Sequence, residues 1–491
     1  MNEHTYIACD LGAESGRVIL GRLRDGKVTL EEIHRFPNGA VKIAGSLRWN
    51  ILRIFEELKL GVRKVAAMNL SVEGLSVDSW GVDYVLLGAG QPMLSLPYQY
   101  RDARTDSTYA AALESPGREL IFAETGIQFM QINTLYHLIA ELEQSPRLLE
   151  IAEQFLTIAD YLHFLFSGVA AIEESLASTT QLYNPVARAW SQRLIETFGF
   201  PSKIFPPLVS SGTRLGPLLP EMAAELGAGP IEVIATCSHD TGAAVAAVPA
   251  LGEDWAYLSS GTWSLIGVEL PQPLISEEAR LHNFTNEAGF GGTTRFLKNI
   301  IGLWILQECR RTWALAGQEF NYATLNLQAE QAESFRSLID PNDARFLKPD
   351  RMPEKIAAYC RETGQPEPET PGQFARCIFE SLALLYRRTL EELQQVTGKK
   401  INRLHIVGGG SQSTLLNQFA ASAIGRPVLA GPLEATAAGN VLIQAIALGH
   451  LESLSALRGV VRDSFTIAEY APQESAEWEL AYGRFEKLRV P

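Results

Sequence analysis

Two strand-turn-strand segments with glycine and hydroxyl residues at their tips, half a chain apart, constrain this sequence more than any other feature. The first is Ile7-Ala8-Cys9-Asp10-Leu11-Gly12-Ala13-Glu14-Ser15-Gly16-Arg17; the second runs from Tyr257-Leu258 through Ser259-Ser260-Gly261-Thr262 into Trp263-Ser264-Leu265. Apolar runs on either side of a small, polar turn are the pattern of a hairpin. A chain that starts the same kind of hairpin twice is expected to form two domains, and 491 residues are too many for one ordinary core. The boundary is expected at 247–254, where Ala-Val-Pro-Ala-Leu-Gly-Glu-Asp interrupts the periodic segments. That gives domains 1–247 and 248–491.

The first domain opens as a three-strand meander, Tyr6 to Asp10, Arg17 to Leu23 and Val28 to Phe36. A helix capped by Asn50 follows, with Ile51, Ile54, Phe55, Leu58 and Val62 on one face. Strands are expected at Gly74 to Asp78, Val82 to Leu87 and Ile231 to Thr236, and a mostly helical stretch from Thr134 to Ser167 with a break at Ser145-Pro146. In the second domain Phe374 to Val396 reads as a long helix after the polar loop 364–371. Leu404 to Val407 reads as a strand running into Gly408-Gly409-Gly410, with a helix carrying Leu415, Leu416 and Phe419 beyond.

Phosphate binding without a Walker A sequence needs backbone N–H groups and cations aimed at the anion by other means, and glycine-rich hairpin tips supply them. Gly12 and Gly16 let backbone approach an anion, Ser15 offers a hydroxyl and Arg17 a local positive charge. Asp10, ending its strand, is placed to hold Mg²⁺. The triple glycine sits where a strand meets a helix N-terminus and allows close approach of a ligand. Asp240, after a buried strand and among residues too small to fill a core, is the candidate general base for a hydroxyl attacking phosphorus; a helix-capping Asp is the bland alternative. His239 is read as a substrate or loop-orienting residue, and the remaining histidines, His282 and His405 among them, as structural or surface residues.

The formal net charge of −14 leaves no basic face for a nucleic acid, so anionic ligands must be held locally. Cys9, Cys237, Cys309, Cys360 and Cys377 have no C-x-x-C pairing and no His at metal-ligand spacing, which points to reduced thiols; Cys360 and Cys377 are close enough in sequence for a local bridge, which a reducing cytosol disfavours. With no signal-peptide pattern and no membrane-spanning apolar stretch, a cytoplasmic protein is expected, monomeric or homo-oligomeric, with small-molecule partners only.

The segments IACDLGAESGR (7–17), SVDSWGVDYVLL (76–87), YRDART (100–105), SHDTGAAV (238–245), YLSSGTWSLIG (257–267), LKNIIGLWILQ (297–307) and LHIVGGGSQSTLLNQ (404–418) together resemble the FGGY carbohydrate kinases, in the right order over nearly the whole chain. The resemblance implies an α/β fold of two actin-like, RNase H-like domains with the active site in the cleft between them, and ATP and Mg²⁺ as co-substrate and metal. By the same resemblance Ala13, Glu14, Ser15, Gly16 and Arg17 bind ATP phosphates with Thr262, and Gln307 and Gly409 bind the nucleotide further out. Gly81, His239, Asp240, Thr241 and Asn299 contact the sugar, and Asp240 is the base. The nearest likeness is to the branch acting on L-rhamnulose in L-rhamnose breakdown, with L-fuculose or another ketose or polyol as alternative. An actin-like ATP-dependent sensor is the reading from a different class.

Overall fold

The computed structural model describes residues 3–473 and 475–488, and the chain separates into two compact units that do not follow sequence order. One comprises Met1–Pro249, Glu269–Phe296 and Ala435–Ser464; the other comprises Ala250–Val268, Leu297–Glu434 and Phe465–Pro491.

The first unit is built on a six-stranded sheet ordered Thr213–Pro217, Glu232–Ala235, Val72–Ser79, β1 (His4–Leu11), β2 (Ser15–Arg24), β3 (Lys27–Pro37). β1, β2 and β3 form the antiparallel meander, whereas Val72–Ser79 pairs parallel with β1 and Glu232–Ala235 parallel with Val72–Ser79. Helix Ile51–Ala66 starts at Asn50, whose side chain accepts a hydrogen bond from the Arg53 amide (3.2 Å). It buries Ile51, Ile54, Leu58, Val62 and Val65, each worth roughly 1.5–3 kcal/mol relative to exposure. Its Gly61 lies over Val18 so closely that a Cβ would meet Cγ2 at 2.4 Å. Helix Ala435–Ala447 approaches β2 in the same manner, Val441 lying over Gly21. Val18 and Gly21 point to opposite faces of the strand, so the two helices cover opposite faces of the sheet.

The segment from Thr134 differs from the sequence expectation. Helices Thr134–Gln144 and Pro146–Ile151 are followed by a strand, Ala152–Thr157, paired antiparallel with Tyr84–Gly88, and only then by helix Ile158–Ser167. A short apolar run such as Phe155-Leu156 fits helix and strand equally by periodicity, and the available strand edge decides. In the second unit strands run in the order Thr294–Ile301, Trp263–Leu270, Trp255–Ser260, Arg403–Val407, Val428–Ala430, Ala468–Tyr470. Helix Pro371–Thr397 takes the long apolar pattern, capped by Thr370. All five cysteines are buried free thiols, so Cys360 and Cys377 form no bridge. Among the described residues no helix is long and apolar enough to cross a membrane.

Candidate active site

Strand register brings three carboxylates together in the first unit. Asp10 on β1 lies directly opposite Asp78 on Val72–Ser79. Ser79 at the end of that strand bridges to His239, its amide donating to the Ser238 carbonyl (2.8 Å), which places Asp240 beside the pair. A like charge close to a carboxylate at the carboxyl ends of parallel strands disfavours its ionised form. Burial, then the charges of Asp10 and Asp240, raise the Asp78 carboxyl well above its usual range, although Asn440 hydrogen-bonds it. Asp240 is raised as well, chiefly by burial, with His239 pulling the other way and Asp10 adding to the rise. Its side chain keeps 29% exposure, so it remains open to a ligand.

Each carboxylate has a different support. Arg17, opposite Asp10 across the hairpin, makes an ion pair with it, so the hairpin's guanidinium is shared with the strand-end carboxylate. Asn440 Nδ2 donates to Asp78 Oδ2 (2.6 Å), while Gln444 Nε2 donates to Asn440 Oδ1 (2.8 Å) and to the Ile7 carbonyl (3.0 Å). Asp78 Oδ1 is buried with no hydrogen-bond partner. The buried, unpartnered Asp78 Oδ1 beside Asp10 is a donor that suits a hard, oxygen-liganded cation such as Mg²⁺, although the oxygens of Asp10, Asp78 and Asp240 do not all lie within 4.8 Å of one another.

Asp240 is the first residue of helix Asp240–Ala246, and its Oδ1 accepts from the Thr241 amide at 2.5 Å. The loop before it is fixed by Glu173, which accepts from the Ser238 amide (3.0 Å) and from Ser175, whose Oγ in turn accepts from the His239 amide (3.0 Å). Arg295, fully buried, lies 3.1 Å from His239 Nδ1 and 3.2 Å from Glu287. A guanidinium only donates, so Nδ1 accepts and the ring proton sits on Nε2, the nitrogen 3.4 Å from Asp240 Oδ1.

Gly81 has no room for a side chain: a Cβ would lie 2.8 Å from Thr179 Oγ1. Val82 next to it has φ +71°, a conformation a β-branched residue adopts only where its surroundings impose it. Thr179 Oγ1 accepts the Val82 amide (3.1 Å) and Thr134 donates to its carbonyl (2.6 Å). Asp83 is buried between two indoles, accepting from Trp49 Nε1 (2.5 Å) and Trp80 Nε1 (2.9 Å), and burial raises its carboxyl to about 7.

The two hairpin tips differ in how they are held. In the first, Gly12 N donates to the Ser15 carbonyl (2.9 Å) and Asn38 Nδ2 to the Gly12 carbonyl (2.8 Å); Gly16 is packed on Phe36, whereas Glu14 is exposed and Ala13 and Ser15 are half-buried. In the second unit the tip at Gly261-Thr262 is clamped by backbone, Leu303 N to the Gly261 carbonyl (3.0 Å) and Trp304 N to the Thr262 carbonyl (3.1 Å). This sets Thr262 beside the start of helix Trp304–Leu315, which carries Gln307, its Oε1 buried without a hydrogen-bond partner. The triple glycine lies against Ser260: a Cβ at Gly410 would meet Ser260 Oγ at 2.0 Å, and Gly408 has φ +80°, but nothing stands within 4 Å of a Cβ at Gly409. Asn299 is half-buried in strand Thr294–Ile301.

The first unit therefore gathers Asp10, Arg17, His239, Asp240 and Thr241, and the second gathers Thr262 and Gly409 about one hairpin, with Gln307 on the adjoining helix. Sequence reasoning missed Asp78, Asp83, Arg295, Asn440 and Gln444. Two amides one turn apart, Asn440 and Gln444, on a helix otherwise of small and apolar residues were the available signal.

Two family models match the chain. The N-terminal domain of the FGGY family of carbohydrate kinases matches residues 5–247 and the C-terminal domain of that family residues 256–448. The rhamnulokinase of Bacteroides thetaiotaomicron is 44% identical over 483 residues, 98% of this chain and 99% of that protein. The rhamnulokinase of Enterococcus faecalis is 43% identical over 96% of this chain and 94% of its own. Among solved structures, ligand-bound xylulose kinase from Lactobacillus acidophilus superimposes with a TM-score of 0.82 at 16% identity, covering 99% of this chain and 98% of that one. Glycerol kinase from Plasmodium falciparum, solved with ADP, gives 0.79 at 13% identity, covering 99% and 97%. These last two likenesses are of fold.

Proposed function

The chain belongs to the FGGY family of carbohydrate kinases, and from that premise we propose that it transfers the γ-phosphate of ATP to L-rhamnulose, giving L-rhamnulose 1-phosphate in L-rhamnose catabolism in the cytoplasm. The observation that carries this reading is the 44% identity to a rhamnulokinase over 98% of the chain, far beyond what a shared fold requires. The kinase sequence divides into residues 1–247 and 248–491, and the first compact unit also takes Glu269–Phe296 and Ala435–Ser464 from the second part.

Asp240 acts as the general base. It takes the proton of the attacking sugar hydroxyl, and a carboxylate raised by burial is a stronger base than one in water. Arg295, itself paired with Glu287, orients His239, whose Nε2 proton faces the Asp240 carboxylate. Gly81, His239, Thr241 and Asn299 read the sugar; Ala13, Glu14, Ser15, Gly16, Arg17 and Thr262 hold the phosphates; Gln307 and Gly409 take the nucleotide further out. Asp10, with Asp78 beside it, would hold Mg²⁺, which when bound neutralises phosphate charge. Positioning and exclusion of water do most of the remaining work in phosphoryl transfer.

The test is coupled ADP release with Mg²⁺-ATP and L-rhamnulose, L-fuculose, L-ribulose, D-xylulose or glycerol against a no-sugar blank. The expected result is a kcat/KM for L-rhamnulose at least tenfold above every other sugar. A different preferred acceptor replaces the substrate, and absence of any sugar-dependent ADP overturns the kinase reading.

A further inference from the structure

Far along β1 from Asp10, at the strand's first residue, His4 meets Glu73 and His450, and their potential ligand atoms all lie within 4.8 Å of one another. Six residues of strand separate His4 from Asp10, roughly 20 Å at ~3.3 Å per residue, so this cluster stands apart from the carboxylates of the candidate active site. Glu73 bridges the two histidines: Oε1 is 2.9 Å from His4 Nδ1 and Oε2 is 3.3 Å from His450 Nε2. The imidazole rings stack, centroids 3.6 Å apart and planes 17° from parallel.

Two of the three side chains are aimed by backbone. The pairing of β1 with Val72–Ser79 shifts register between Thr5 and Tyr6, whose partners are Val72 and Gly74, so Glu73 is the extra residue of a bulge. Bulges re-aim side chains in this way. His450 follows the end of helix Ala435–Ala447, where Gly449 has φ +80° and the His450 amide donates to the Ala445 carbonyl (2.8 Å), closing the helix end. The hydroxyl of buried Tyr6 lies 2.7 Å from His450 Nδ1, the partner that leaves Nε2 directed at Glu73. A hydrogen bond on the far ring nitrogen is what a metal-ligating histidine ordinarily has.

We propose that His4, Glu73 and His450 bind one Zn²⁺ ion. Two imidazoles and a carboxylate suit zinc or its neighbours in the first row, whereas Mg²⁺ and Ca²⁺ take all-oxygen sets. Ligand bonds of ~2.0–2.2 Å about a tetrahedral ion set donor atoms roughly 3.3 Å apart; each imidazole has a Glu73 oxygen near that distance, Oε1 at 2.9 Å from His4 Nδ1 and Oε2 at 3.3 Å from His450 Nε2. The three side chains are partly exposed, so solvent supplies the fourth ligand and the route of entry. The ion ties the end of helix Ala435–Ala447 to the start of β1. That helix carries Asn440 and Gln444, whose amides hold Asp78 and the Ile7 carbonyl, so the site braces the carboxylate cluster without touching it.

The experiment uses the full chain purified without a histidine tag, stripped with chelator and titrated with ZnCl₂ against a chromophoric competitor. One Zn²⁺ per chain is expected, with a rise in Tm on loading. His4→Gln and Glu73→Gln are expected to weaken binding more than ~100-fold, and Tyr6→Phe, which removes only the far-side hydrogen bond, about 10-fold to 100-fold. X-ray absorption of Zn²⁺-loaded wild type, which does not depend on any variant folding, is expected to read two imidazoles at the metal. Absence of stoichiometric binding, equal affinity in wild type and His4→Gln, or a zinc spectrum without imidazole scattering each overturns the proposal.

Discussion

Asp240 keeps an exposed face while burial, and after it the charge of Asp10, push its proton affinity upward. Asp240→Asn preserves the shape and the contact to the Thr241 amide but cannot accept a proton. Its kcat is expected to fall ~10²-fold to 10⁴-fold, with the KM for ATP and sugar within a few-fold of wild type; steady-state kinetics with a kcat near wild type would remove the base assignment. Asp83 carries a second residue-scale prediction. Its folded value, about 7, lies above the ordinary Asp value near 4, so between those limits the folded state holds a proton that the unfolded chain has released. Stability from this group therefore increases as pH falls from about 7 towards 4. Asn at this position keeps an acceptor for the two indoles and does not titrate. The Tm of wild type is expected to gain on that of Asp83→Asn as the buffer goes from pH 8 to pH 5, and parallel curves would refute it. Asp240 was legible in the sequence because small residues follow a buried strand there. Asp78 lay inside a motif the sequence displays plainly, but its chemical weight comes from Asp10 opposite it and from Asn440, 362 residues away.

Hairpins, caps and the Asn50-started helix were readable because turn chemistry and capping act within a few residues. Strand Ala152–Thr157 was not, since its partner Tyr84–Gly88 lies far back in the sequence and no local pattern announces the pairing. The triple glycine divides at this scale into parts with different reasons. Gly410 is required by the protein's own packing on Ser260, whereas Gly409 faces open space and nothing in the fold demands its missing side chain. Gly410→Ala is expected to cost about 1–3 kcal/mol through overpacking. Gly409→Ala is expected to leave Tm unchanged and to raise the KM for ATP several-fold. Thermal melts and ATP titrations of the pair separate the two roles, and a destabilised Gly409→Ala with unaltered ATP dependence would contradict the division.

Over the whole molecule, the hairpin repeat revealed two units but not which distant segments each recruits. Helix Ala435–Ala447 brings Asn440 to Asp78, Val441 to Gly21 and Gly439 within touching distance of Ala243, so the first unit is unfinished without it. A fragment of residues 1–249 is expected to expose the apolar sheet face that this helix covers. It should melt without a cooperative transition, and co-expression with 250–491 should restore one; cooperative melting of 1–249 alone would count against this. The interleaving also sets an order of events during synthesis. The ribosome makes the first hairpin before the rest of that unit, whose last piece ends at Ser464. At ~5–20 residues per second the nascent sheet waits roughly 10–40 s for its second helical cover, with Tyr6-Ile7-Ala8 and its neighbours in need of shelter meanwhile. Expression of this chain should therefore depend on holdase chaperones, and slowing translation between codons 250 and 435 should lower the soluble yield.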